Sequence, residues 1–143
     1  MLEDEEEWKN IDVNQLIYGF DFPTMNLTTL MMACHFGHTE LVRHLLGRNG
    51  VNVNMENSQR GTGLLLACRN GNLEVVNLLL EHTDINVNQV DNDGQTALHL
   101  ASNIKVAMAI LSHPEFKSVN QVDKLGRTAL HCASELGHIE VVK

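Results

Sequence analysis

One pattern constrains this chain above all others: it repeats itself. Thr28-Thr29-Leu30-Met31-Met32-Ala33 is answered by Thr62-Gly63-Leu64-Leu65-Leu66-Ala67, by Thr96-Ala97-Leu98-His99-Leu100-Ala101 and by Thr128-Ala129-Leu130-His131-Cys132-Ala133. The closing alanines are spaced 34, 34 and 32 residues apart. A second run follows three of these blocks, as Gly37-His38-Thr39-Glu40-Leu41-Val42, Gly71-Asn72-Leu73-Glu74-Val75-Val76 and Gly137-His138-Ile139-Glu140-Val141-Val142. A third recurs as Val51-Asn52-Val53-Asn54, Ile85-Asn86-Val87-Asn88 and Ser118-Val119-Asn120. Self-similarity at such a period means stacked units, each unable to bury its own apolar face.

Each element has a physical reading. The threonine is placed to cap a helix that runs about seven residues to a glycine able to close it. Pairs such as Leu41/Val42 and Leu45/Leu46 give the second helix one buried stripe. The Asn-Val-Asn strips lead into turn-rich tetrads at Asn57, Asp91 and Asp123. The unit is therefore helix, turn, helix and a projecting hairpin-like loop.

Composition agrees. Only 4% of residues are aromatic against 43% hydrophobic overall, which suits thin helix pairs packed through Leu, Val and Ala. The net charge is −8, with 18 acids against 10 Lys and Arg, which argues against binding to a nucleic-acid backbone. The run Glu3–Glu7 reads as a solvated segment. No apolar run reaches the roughly 20 residues of a membrane span, and Cys34, Cys68 and Cys132 are too few and scattered for a disulfide framework. A cytoplasmic or nuclear setting is expected.

Taken together, the Thr-x-Leu-His-x-Ala block, the Gly-His-x-Glu-Val-Val block and the Val-Asn strip resemble the ankyrin repeat. The resemblance implies an all-α solenoid of helix-turn-helix units with projecting β-hairpin-like loops. Its repeats would span about 24–56, 57–90, 91–122 and 123–143, the last cut short. Residues 1–23 read as an acidic capping helix or degenerate half-repeat, and the uncapped last repeat implies a fragment of a longer array. Four departures stand out. Thr29, Gly63, Ala97 and Ala129 replace the usual proline, Met31 and Leu65 replace the histidine, and Asn26 and Arg60 replace the loop glycine. The third repeat has lost two residues at the helix junction. That loss is expected to place Val106 where other copies carry Glu40, Glu74 and Glu140, on a solvent face.

The resemblance also implies function: a non-catalytic module binding a protein segment on the concave face of the stack. The alternative is a regulatory or targeting part of a larger enzyme, channel or ubiquitin-ligase adaptor. The positions implied to line the groove include Leu27, His35, Phe36, Gln59, Arg69, Asn70, Asp93, Gln95, Asn103, Leu125, Arg127 and Leu136. Phe36, an aromatic where exposure is expected, is the clearest anchor. Asn54, Asn88 and Asn120 match the family position open to asparaginyl hydroxylation, although an asparagine holding its loop suffices to explain each. No cofactor, metal, nucleic acid or membrane insertion is expected, and the chain reads as a monomer or a weak associate through its last repeat. His99 and His131 are expected to bond between neighbouring loops, and the cysteines to be buried and inert. Gly61-Thr62-Gly63 is too short, and lacks the lysine, for a phosphate loop.

Overall fold

The computed structural model of the chain describes residues 16–18, 26–48 and 51–135, with the side chains of 16–18, 26–28 and 133–135 outside the description. Strand β1 (Leu16–Tyr18) pairs antiparallel with β2 (Asn26–Thr28), placing Ile17 opposite Leu27. Seven helices follow among the described residues: α1 (Thr29–Phe36), α2 (Thr39–Leu46), α3 (Gly63–Arg69), α4 (Leu73–Glu81), α5 (Ala97–Leu100), α6 (Ile104–Ser112) and α7 (Ala129–Glu135). They form two rows. Odd-numbered helices pack in sequence, α1 on α3, α3 on α5 and α5 on α7, while α2 packs on α4 and α4 on α6. The all-α solenoid expected from the sequence is what forms. The short strand pair precedes it, so Leu16–Tyr18 is extended rather than part of a capping helix, and the rest of 1–23 lies outside the described residues.

The core runs through the stack as one body. Leu30, Ala33 and Cys34 from the inner row meet Leu64, Ala67 and Cys68, then Ala97 and Leu98, while Val42, Leu45, Val76, Leu79, Ala107 and Ile110 come from the outer row. Alanines at the closest helix contacts let the rows approach, which is why bulky rings are scarce. Thr62 and Thr96 cap α3 and α5 as their register requires, accepting from the N–H of Leu65 and His99.

The third repeat differs from expectation in an instructive way. Ten residues separate the N-caps Thr62 and Asn72, but seven separate Thr96 and Asn103. Nineteen separate Asn72 from Asp91, but twenty separate Asn103 from Asp123. Three residues are thus lost at the junction and one is gained in the following loop. The loss falls on α5, which is reduced to four residues. Helix α6 keeps its length because Asn103 Oδ1 caps it, accepting from Val106 N at 2.9 Å. This overturns the placement of Val106 on the solvent face: it is 0% exposed. Lys105 takes the position of Glu40 and Glu74, because both runs are counted from the cap and the cap has moved. The apolar outer surface belongs instead to Met108 and Leu111, 58% and 42% exposed.

Candidate functional site: the inner helix row and hairpin tips

Hairpin tips are built by one device used three times. The first residue of each tetrad accepts two backbone N–H groups on a single oxygen. Asn57 Oδ1 takes Gln59 N and Gly61 N (2.9 and 2.8 Å), Asp91 Oδ1 takes Asp93 N and Gln95 N (2.9 and 3.0 Å), and Asp123 Oδ1 takes Leu125 N and Arg127 N, both at 2.9 Å. Such turns hold their shape without a sheet. Burial alone would raise the Asp123 carboxyl, but the N–H groups of Arg127 and Leu125 and the Arg127 guanidinium outweigh it, so it titrates below the ordinary aspartate range.

Neighbouring tips are tied by main chain. Asn92 N donates to Gln59 O at 2.9 Å, and one repeat on, Lys124 N donates to Asp93 O at 2.7 Å. Lys124 Nζ also lies 3.6 Å from Asp93 Oδ1. Arg60 occupies the position of Gly94 and Gly126 and is held in the left-handed region those glycines occupy, with φ 63°, at a steric cost they do not carry.

Further links run between the helices. His99 Nδ1 accepts from Thr96 N at 3.1 Å, so Nε2 carries the proton and donates to Arg127 O at 2.8 Å. That is the loop-to-loop role expected of it. His131 repeats the first bond, with Thr128 N, and its Nε2 meets no acceptor among the described residues. Asn72 Nδ2 donates back to Cys34 O at 2.9 Å. Asn54 Nδ2 donates forward to Asp84 O (2.7 Å) while its Oδ1 accepts from Asn86 N (2.8 Å). Asn88 does the same with Glu115 O (2.8 Å) and Lys117 N (2.9 Å). Asn120, at the equivalent place, is exposed and has no partner among the described residues.

His99, Asp123 and Cys132 bring one donor atom each within 4.8 Å of one another. That is a metal-ligand set in kind, but its atoms are engaged. Both imidazole nitrogens are bonded, Asp123 Oδ1 holds the turn, and Asp123 Oδ2 accepts from Arg127 Nε at 3.0 Å. All three cysteines are buried, and burial pushes the Cys34 and Cys68 thiols far above the ordinary range.

The residues expected in the groove divide into groups. His35, Phe36 and Asn70 come together at the ends of α1 and α3. Asn70 Nδ2 lies 2.9 Å from His35 Nδ1 and donates to His35 O and Leu66 O, both at 3.1 Å. Phe36 meets the His35 ring edge to face at 4.8 Å and stays 49% exposed. Desolvation, and then the Arg69 charge, lower the pKa of His35. Arg69 Nη2 lies 3.9 Å from Asp91 Oδ2, across to the next hairpin. Gln59 and Asp93 join adjacent tips through their carbonyls, Gln95 and Arg127 close the turns, and Leu125 stands at a tip, 76% exposed. Asn103 is not among them: it caps α6 and points Nδ2 at Gly71 O, 3.5 Å away. Leu27 lies in β2 with its side chain outside the description, and Leu136 lies outside the described residues.

Sequence reasoning missed part of one small cavity. It lies between the second and third hairpins, where Asn57, Leu65, Asp91 and Leu100, none of them expected at the inner surface, line it together with Gly61 and Arg69. The contrast of Asn57 with Asp91 and Asp123 at one register was the available signal.

Two rows of short helices, stacked by nearest-neighbour contacts and edged by bonded hairpin tips, define a repeat solenoid with an extended, rigid inner surface. Comparison with known families agrees: residues 9–91, 30–120 and 87–143 each match the pattern described as ankyrin repeats. The chain belongs to the ankyrin repeat family. No curated protein matches it. The family is one of protein-interaction modules. No helix among the described residues is long and apolar enough to cross a membrane.

Proposed function

We propose that the inner surface binds an extended segment of a partner protein, without catalysis. One observation carries the reading: Phe36 stands half exposed on the inner helix row, with its neighbour His35 held by Asn70 from the next repeat. An exposed aromatic packed edge to face on a tethered neighbour presents the kind of side chain that interface anchors use. Leu125 offers a second apolar contact on the fourth hairpin, and the polar tips between the two supply hydrogen bonds. Three buried cysteines too scattered for a disulfide framework support a reducing setting, cytoplasm or nucleus. The chain acts as a monomer in this reading, with any self-association weak and through its last repeat.

The double variant Phe36→Ala/Arg69→Ala tests it. A partner captured by the wild-type chain should bind the variant at least tenfold more weakly while the melting temperature stays unchanged. Unchanged affinity would sink the assignment.

A further inference from the structure

We propose that the second hairpin carries a receptor notch for one neutral carbonyl oxygen of the bound segment, formed by Asn57, Gly61 and Arg69. The inference rests on the groove reading above and specifies what the partner presents there.

The three hairpins share one register and differ at one atom. Asn57, Asp91 and Asp123 each commit Oδ1 to the turn. The second atom of Asp123 accepts from Arg127, and that of Asp91 faces Arg69. Asn57 instead presents an NH2 group. Among the described residues, Asn57 Nδ2 is the buried side-chain polar atom left without a partner, on a residue only 7% exposed. Buried donors are nearly always satisfied, so an unmet one facing a cavity marks where an acceptor belongs.

The surroundings keep that place open. Four residues after the tetrad begins, the third and fourth hairpins carry Gln95 and Arg127, whereas the second carries Gly61. A Cβ on Gly61 would lie 3.2 Å from Asn57 Nδ2 and fill the opening. Leu65 stands where His99 elsewhere donates to the next hairpin, so the wall there is apolar and offers no competing group. About 10 Å³ of room remains, enough for a single oxygen atom and not for a ring or a methylated group. Charge selects among acceptors. A carboxylate would set a second negative charge beside buried Asp91, whose charge already faces Arg69 at 3.9 Å, whereas a neutral amide carbonyl accepts from Asn57 and adds no charge there. Either the side chain of an Asn or Gln, or the main chain of the segment, can supply it. A solvent water fits the same room and is the competing occupant.

The probe is a phage-displayed library of random 12-residue peptides, selected on the full chain and kept where Phe36→Ala/Arg69→Ala abolishes binding. Asn57→Asp preserves the turn acceptor and removes the donor; Gly61→Ala, at a φ outside the left-handed region, closes the opening and keeps the donor. Each should weaken the retained peptides about tenfold, the scale of one hydrogen bond, with the melting temperature of Gly61→Ala within a few degrees of wild type. An alanine scan of the peptide then separates the sources. A matching loss at an Asn or Gln identifies a side-chain carbonyl, and no such loss with the variant effect intact identifies the main chain. Peptides that bind both variants as tightly as wild type would show the notch to hold only water and overturn the proposal, leaving the groove standing. A fixed Asp or Glu at the sensitive position would overturn the choice of a neutral carbonyl. If no selected peptide responds to Phe36 and Arg69, the groove reading fails, and the notch fails with it.

Discussion

The second and third repeats begin from nearly the same sequence and solve different problems. In the second, α3 runs its full seven residues, α4 starts at Asn72, and the outer surface is polar through Glu74, Asn77 and Glu81. In the third, three residues are missing, α5 is one turn long, and the outer surface carries Met108 and Leu111. Yet α4 and α6 have the same length and bury equivalent positions: Val75, Val76 and Leu79 in one, Val106, Ala107 and Ile110 in the other. The inner helix is the adjustable part and the outer helix the conserved dimension of the stack. A shortened inner helix is tolerated because its neighbours still reach it: Ser102 N donates to Cys68 O at 3.2 Å, and Asn103 supplies the cap that the lost residues would otherwise have spaced.

The strongest way to break this equivalence is to truncate both outer helices. Leu79→Ala and Ile110→Ala should each destabilise by about 2–5 kcal/mol in denaturant titrations. A far smaller effect at Ile110 would mean that α6 is only loosely docked. Next, His99→Leu gives the third repeat the residue the second already has at Leu65. It removes the bonds to Thr96 N and Arg127 O and should cost about 1–3 kcal/mol, read from the thermal midpoint. Asn88→Ala should cost about 1–2 kcal/mol through its forward bonds, while Asn120→Ala should stay within about 0.5 kcal/mol. Equal losses would refute the view that these asparagines act by bridging repeats.

Arg60→Gly sharpens the comparison in the stabilising direction. It gives the second hairpin the residue of the third and relieves a left-handed arginine, for a gain of up to about 1 kcal/mol. The loss of the Arg60–Glu56 pair subtracts little, since both side chains are well exposed. The smallest effect is local and set by pH. Because the Asp123 carboxyl is depressed in the folded chain, its contribution is present above the ordinary aspartate value and fades as pH falls through the lower folded one. Amide exchange at Leu125 and Arg127 should therefore accelerate in acid relative to Gln59 and Gly61, whose turn rests on an asparagine that does not titrate. Parallel behaviour of the two turns would remove Asp123 as the cause.

How far the sequence reached depends on which atoms a pattern reports. Periodic alanines, capping threonines and the histidine position name their places in the stack, because each repeat faces the same neighbours. The split of the third repeat's change into three residues lost and one gained was hidden, since the closing alanines record only the net difference. Val106 was misplaced for that reason: counting from Ala101 ignores that Asn103 resets the helix. Within the candidate site, Phe36 was visible as a type out of place and Arg69 as a register position. The notch was not, because Asn57 and Asp91 look interchangeable as turn formers until their second atoms are located.

The links between repeats have a direction. At the hairpin tips the later repeat donates to the earlier, from Asn92 to Gln59 and from Lys124 to Asp93. The asparagine bridges run both ways, Asn54 donating to Asp84 O while accepting from Asn86 N and Asn88 donating to Glu115 O while accepting from Lys117 N, and His99 donates only forward, to Arg127 O. The array is therefore vectorial: each repeat meets its successor through different atoms from those it offers its predecessor.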